Sequence, residues 1–492
     1  MSFGTGQSER PKGPPVSPPR PGAAGGLLVW VTSAVLSTTA LCTLAWWMGT
    51  GSSVPVVRRV PIPENAPREG AVSARAAVNI EGTLQKFDGT AGATRGEWPR
   101  FRGSRSDNVC GDSVRIASPP KVLWSLDLGD GHAGAAVLLG RVFVLDHDEA
   151  MHADALRCFS FDDGREIWRR SYKVQIKRNH GISRTVPAVT DRHVVAIGPM
   201  CHVLCADPKD GRFLWGMDLV KEFGSTVPLW YTAQCPIIEG GIAILAPAGS
   251  ALMIGVDCAT GKVVWRTPNP GGWQMSHSSV VPATFAGRRM YVYAAIGGVA
   301  GVAADGPDAG RLLWSTTEWN HPVVAPSPVA LDGDRLLLTA GYGAGSMLVR
   351  IEPDGDAYRA KVLERIPKER FACEQQTPVY FKGHLYGILP KDAGELKAQL
   401  VCYDPEKGVV WSSGKAVRFG LGPFIIAGDR IIVLNDDGGL VAAKASTDRY
   451  EPILRARALD GRDAWAPIAV AGGRILLRDS HRMVCLDAAS GT

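Results

Sequence analysis

The sequence predicts an all-β chain, an eight-bladed β-propeller of four-stranded blades closed by its N- and C-terminal strands and preceded by one transmembrane helix. Three observations lead there. One phrase returns at a period of roughly 45 to 50 residues. Each period carries four strand signals, and the two ends of the folded part hold complementary halves of the phrase.

The phrase reads CFSFDDGREIW up to Trp168, CADPKDGRFLW up to Trp215, GVDCATGKVVW up to Trp265, AADGPDAGRLLW up to Trp314 and CYDPEKGVVW up to Trp411. Counting from Trp124, the tryptophans are spaced by 44, 47, 50, 49 and 97 residues, the last being two periods. The intervening copy is RIEPDGDAYRAKVLER, with Gly355 at the turn and Arg359 in the tryptophan slot. A further degenerate copy, AAKASTDRYEPILRARAL, carries Tyr450. An apolar strand, a polar Asp/Gly turn and a second apolar strand make a hairpin. A second pair of strand signals lies upstream, as in TVPAVT with HVVAIG and TPVYFK with HLYGIL. Small sheets repeated in this way cover their apolar faces only against one another, which is propeller logic. The chain ends on CLDAASGT, the first half of the phrase, and KVLWSLDL at residue 121 supplies the second half. Pairing the two closes the ring and removes an open edge.

The segments before the ring read differently. Residues 1–26, rich in Pro, Gly and Ser, cannot bury a core and are expected to be a disordered tail. Residues 27–48 contain no charge and carry Trp30, Trp46 and Trp47 towards their ends, the signature of an uncleaved signal anchor. Residues 49–95 mix Pro, Gly and scattered charges and read as a flexible linker, with the propeller from 96 to 492. Arg10, Lys12 and Arg20 before the apolar run, against Arg58 and Arg59 after it, bias the N-terminus to the cytoplasm. The propeller is then expected on the periplasmic face of the inner membrane. A net charge of +6 over 492 residues gives no concentrated basic face, so nucleic acid is not an expected partner.

The phrase resembles the repeat of PQQ-like propellers, the group that includes quinoprotein alcohol dehydrogenases and the outer-membrane assembly factor BamB. WPRFRGSRSDN at 98–108, HSSVVPATFAGRRMYVY at 277–293, EQQTP at 374–378, RFGLGP at 418–423 and RMVCLD at 482–487 are similar to a bacterial branch described as PQQ-binding-like β-propeller repeat proteins. The resemblance covers about residues 98 to 492. It implies a non-enzymatic binding or scaffolding propeller, BamB-like, that engages a protein or cell-envelope partner, or alternatively a PQQ-dependent oxidoreductase. Quinoprotein dehydrogenases resemble one another in a vicinal Cys-Cys disulfide packed on the quinone and in a calcium held by Glu, Asn and Asp. No two cysteines are adjacent here, so no catalytic residue is carried over. No cofactor is assigned, and PQQ bound without that disulfide stays open.

Four of the ten cysteines, Cys158, Cys205, Cys402 and Cys485, stand six residues before the turn glycine, a repeat slot that suits small buried thiols. Cys201 and Cys205, four apart on one strand, are separated by roughly 13 Å and cannot bridge. A pairing of Cys235 with Cys258 stays open. The segment DHDEAMHAD, with Asp146, His147, Asp148, Glu149, His152 and Asp154, contains metal-ligand types, but a solvated connecting loop is the plainer reading and no metal site is assigned. Polar residues just before the first strand of successive blades are of more interest, because that strand lines the central channel. Arg184, Gln234, His277, Gln375 and Trp465, with His180, Glu374, Arg418 and Asp463 nearby, are the candidate ligand-binding set.

Overall fold

The computed structural model describes residues 23–49, 77–177 and 181–489; the tail up to residue 22, linker residues 50–76 and His180 lie outside the described residues. The chain divides into two compact units, Met1–Ala71 and Val72–Thr492. In the first, the apolar run forms the α-helix Ala23–Gly49. Its described side chains, from Trp30 to Trp46, are all exposed. Thr38, Thr39 and Thr43 turn their hydroxyls back onto the carbonyls of Ala34, Val35 and Thr39. Among the described residues no helix is long and apolar enough to cross a membrane.

In the second unit the strands form eight sheets, each built on four consecutive antiparallel strands, or on three plus the closing strand. The first strands of neighbouring blades contact one another around the centre. The ring closes as the split phrase predicts: Val122–Asp127 pairs antiparallel with Arg482–Asp487, and Trp124 stands opposite Cys485.

Two additions go beyond four strands per blade. Thr83–Lys86 pairs antiparallel with the outer strand Glu166–Lys173 of blade 1, Thr83 opposite Ser171 and Lys86 opposite Trp168. Phe87 and Gly89 extend that pairing with hydrogen bonds to the carbonyls of Ile167 and Glu166. The described part of the expected linker, from residue 77, therefore contains a docked edge strand. Its short, scattered side chains hid this because the stabilising groups are backbone amides and the buried Ile80. The second addition is Val109–Cys110, which runs parallel to the inner strand Phe424–Ala427 of blade 7.

The repeated phrase is explained by contacts between blades. The turn glycines Gly164, Gly211, Gly261 and Gly310 have φ of +73°, +74°, +72° and +88°, where a side chain is strained. Each lies under the tryptophan of the blade before it: Trp124, Trp168, Trp215 and Trp265 would meet an added Cβ at 2.7–2.8 Å. The indole N–H groups add a second tie, Trp124 to Phe161 O at 3.0 Å and Trp215 to Cys258 O at 2.8 Å. Opposite the tryptophans across the hairpin stand Cys158, Cys205, Cys402 and Cys485, or Gly255 and Gly301 where the indole comes closer still. Those four cysteines are buried and free, and so are Cys235 and Cys258.

The acidic segment DHDEAMHAD is corrected. Only its hairpin tip is a loop, because Arg141–Asp148 and Ala153–Ser160 are paired strands. Asp146, His147 and Asp154 are buried. Asp154 accepts from His147 Nδ1 at 2.7 Å and from the Tyr172 hydroxyl at 3.1 Å, and Asp146 pairs with Arg157 at 2.9 Å. Buried charges need such partners, so these residues hold blade 1 together rather than face solvent.

Candidate functional site

In blades 2 to 6 the residue two before the inner strand forms a slot that links successive blades in a partial belt. Val186 N donates to Cys235 Sγ (3.2 Å), Cys235 N to Ser279 Oγ (2.9 Å), Ser279 N to Ser327 Oγ (3.1 Å) and Ser327 N to Thr377 Oγ1 (2.9 Å). Blades 3 to 6 place a small acceptor side chain in this slot. Cys235 occupies it as an acceptor, and burial pushes its thiol up to about 12. Arg184, His277 and Gln375 each stand two residues ahead of a belt position, at the entry of blades 2, 4 and 6.

The structure brings Arg184 and His277 together. The Arg184 guanidinium carries Nε and Nη2 buried and without a hydrogen-bond partner among the described residues. Burial draws its pKa down to about 10, against the fields of Asp130 and Tyr231. Burial and the Arg184 charge hold His277 neutral, with its pKa near 4. The neighbouring loop, whose Trp230 and Tyr231 have φ of +64° and +72°, is anchored by bonds from Tyr231 N to Pro228 O at 2.9 Å and from Thr232 N to Pro199 O at 3.0 Å. Two consecutive left-handed non-glycine residues store strain that only such anchoring maintains.

That loop carries the feature the sequence reading missed. The Trp230 ring stacks on His277 at 6.1 Å and 26° and on Tyr342 at 6.3 Å and 21°, making a three-ring ladder beside Arg184. Tyr342 is 61% exposed. Trp230 occupies no repeat slot; the one available signal was an apolar Pro-Leu-Trp-Tyr run inside an interblade connection.

The other candidates divide. Gln375 keeps a buried, unpartnered Oε1 at the entry of blade 6, and burial raises the pKa of its neighbour Glu374. Gln234 is fully buried and committed, donating to Ala246 O (3.0 Å) and Tyr293 OH (3.3 Å) while accepting from Ala246 N (2.9 Å), so it has no group for a ligand. Its side chain is one residue out of step with the belt. Trp465 donates Nε1 to Asp436 at 2.8 Å and packs on His132 at 5.0 Å. Arg418 is exposed and bonds to the Lys397 carbonyl. Asp463 accepts from Trp465 N.

The channel itself holds the segment Trp98–Cys110. Trp98 bonds with Val137 in both directions and Pro99 O accepts from Val189 N. Arg100 pairs with Glu239 at 3.3 Å, and Asn108 Nδ2 donates to Phe424 O. Arg102 reaches Pro378 O at 2.9 Å. The segment thus ties blades 1, 2, 3, 6 and 7.

Repeat, blade count and closure define an eight-bladed β-propeller. Residues 114–222 and 152–322 match the model of the family described as outer membrane protein assembly factor BamB. Among solved structures, the chain resembles the quinohemoprotein alcohol dehydrogenase ADHIIG of Pseudomonas putida HK5 at 14% identity, covering 81% of each chain with a TM-score of 0.55. It also resembles the computationally designed Ika8 protein at 10% identity, covering 75% of this chain and 99% of that one, with a TM-score of 0.50. BamB of Moraxella catarrhalis aligns at 13% identity over 75% and 99%, with a TM-score of 0.49. The likenesses to ADHIIG and Ika8 show the fold alone. No curated protein matches the sequence.

Proposed function

We propose that this chain is a membrane-anchored, extracytoplasmic binding or scaffolding propeller without an enzymatic step, engaging a protein or cell-envelope partner at the Arg184 mouth. The observation that carries it is the buried face of the Arg184 guanidinium, whose Nε and Nη2 have no hydrogen-bond partner among the described residues, beside the His277–Trp230–Tyr342 ladder. A guanidinium fork grips a carboxylate through two parallel bonds, and the ladder supplies a wall for a planar or aromatic group. Together they suit an acidic peptide group or another planar anion. The anchor reading rests on the sequence, the uncharged run 27–48 with Trp30, Trp46 and Trp47 towards its ends.

The dehydrogenase alternative fits less well. No two cysteines are adjacent to pack on a quinone. The test is a crosslinking pull-down from membranes with wild-type chain, Arg184→Ala and Trp230→Ala. A partner retained by wild type and lost by both folded variants supports the mouth. An equal yield from all three rejects it. Dye-linked alcohol oxidation after addition of PQQ and calcium would reject the non-enzymatic reading.

A further inference from the structure

The channel segment carries a charge that nothing around it neutralises. Arg102 is 4% exposed and has φ of +64°; Ser106 and Asn108 are left-handed too. Its Nη2 donates to the carbonyls of Asp107 and Pro378, at 3.2 Å and 2.9 Å, while its buried Nε has no partner. The carboxylate whose field reaches it, Asp107, is paired with Arg105 at 2.8 Å. Beside Arg102 is a cavity with room for about one water-sized particle. It is lined by Phe101, Arg102, Asn108, Gln376, Thr377, Pro423, Pro467 and Ile468.

The chemistry of that lining is one-sided. Phe101, Pro423, Pro467 and Ile468 are apolar walls, and no carboxylate lines the cavity. Thr377 Oγ1 accepts from Ser327 N, so its hydroxyl retains a proton to donate. The amide of Gln376 makes only long bonds, 3.4 Å to Leu421 O and 3.3 Å to Trp465 O, and is available to strengthen a better contact. A full positive charge in a low-dielectric space lowers the free energy of a counter-ion there far more than that of a neutral water.

We propose that this cavity is a monovalent-anion site of halide size, chloride by chemistry, held by Arg102 Nε with Thr377 and Gln376 and separate from the Arg184 mouth. The ion would neutralise the charge that the left-handed turn places inside the ring, so the site stabilises the channel segment rather than serving recognition. Burial draws the Arg102 pKa down to about 10.

The test is thermal unfolding of the full chain at constant ionic strength, with sodium chloride replacing sodium gluconate, whose anion is too large to enter. The expected result is a Tm rise of about 1–2 °C per tenfold increase in chloride. The rise should vanish in Arg102→Gln and persist in Arg192→Gln, which removes an exposed arginine. Equal Tm in both salts, or a rise that survives Arg102→Gln, overturns the proposal. Should Arg102→Gln fail to fold, crystals of the wild-type protein soaked in sodium bromide decide the matter. An anomalous peak within hydrogen-bond distance of Arg102 Nε supports the site, and its absence there overturns it.

Discussion

Gly211 shows how one atom can set the joint between two blades. Its φ of +74° is costly for any residue with a Cβ, and that Cβ would lie 2.7 Å from the Trp168 ring. Gly355, in the degenerate copy, has φ of +61° but nothing within 4 Å. Gly211→Ala should therefore destabilise the ring by about 2–4 kcal/mol, strain plus overpacking. Gly355→Ala should cost only about 1 kcal/mol, from strain alone. Paired denaturant titrations measure the difference, and equal losses would mean the indole contact is irrelevant. His277 makes a second test at this scale. Its folded pKa near 4 lies below the value of 6.5 for an unperturbed imidazole. The unfolded chain therefore binds the extra proton first as the pH falls. The stability tied to a neutral His277 is complete above pH 6.5 and is lost between 6.5 and about 4. In His277→Gln the stability profile should be flatter across that window, and an identical profile would show that His277 does not titrate there. The five sequence candidates are instructive here. Arg184, His277 and Gln375 were legible because they keep step with the belt slot, whereas Gln234, one residue out of step, turned out to be a buried clamp on Ala246.

Among the elements, the edge strand Thr83–Lys86 is the one that composition concealed. Ile80 packs against Gly216 of blade 2 and Leu84 against Gly211, so the strand bridges two blades. A chain beginning at residue 95 should fold but lose about 1–3 kcal/mol relative to one beginning at residue 77, mainly the burial of Ile80 and the lost ladder. Equal melting curves would show that the strand is ornamental. The loop bearing Trp230 behaves in the opposite way, because two left-handed residues make it costly and its bonds to Pro228 and Pro199 hold it. Trp230→Ala is expected to lower partner affinity at least tenfold with little loss of stability, since its ring lies at the surface rather than in a core. A core role would reverse that ratio.

For the whole molecule the decisive feature is closure. Blade 8 takes one strand from residues 122–127 and three from the C-terminal stretch, so the ends of a long chain meet in one sheet. Deleting residues 121–128 should expose the strand Arg482–Asp487 and Gly164, which Trp124 covers. Loss of a single cooperative transition, with association on gel filtration, is the expected outcome, and a monomer of unchanged Tm would refute it. The blade count, the split blade, the buried thiol slot and the turn glycines could all be read from the sequence. Each repeats at a fixed period, and a repeat interacts mainly with its neighbours, so its local pattern already states its contacts. Only the tertiary structure decided which glycine meets which tryptophan, that Trp98–Cys110 ties blades 1, 2, 3, 6 and 7, that Asp146, His147 and Asp154 are buried, and that Trp230 stacks on His277 beside Arg184. These features occur once, without a period, and join residues tens to hundreds of positions apart, as Arg102 and Pro378 do. Their partners are chosen by the curvature of the closed ring, which brings eight strand entries to one point and leaves no trace in the local alternation of polar and apolar residues.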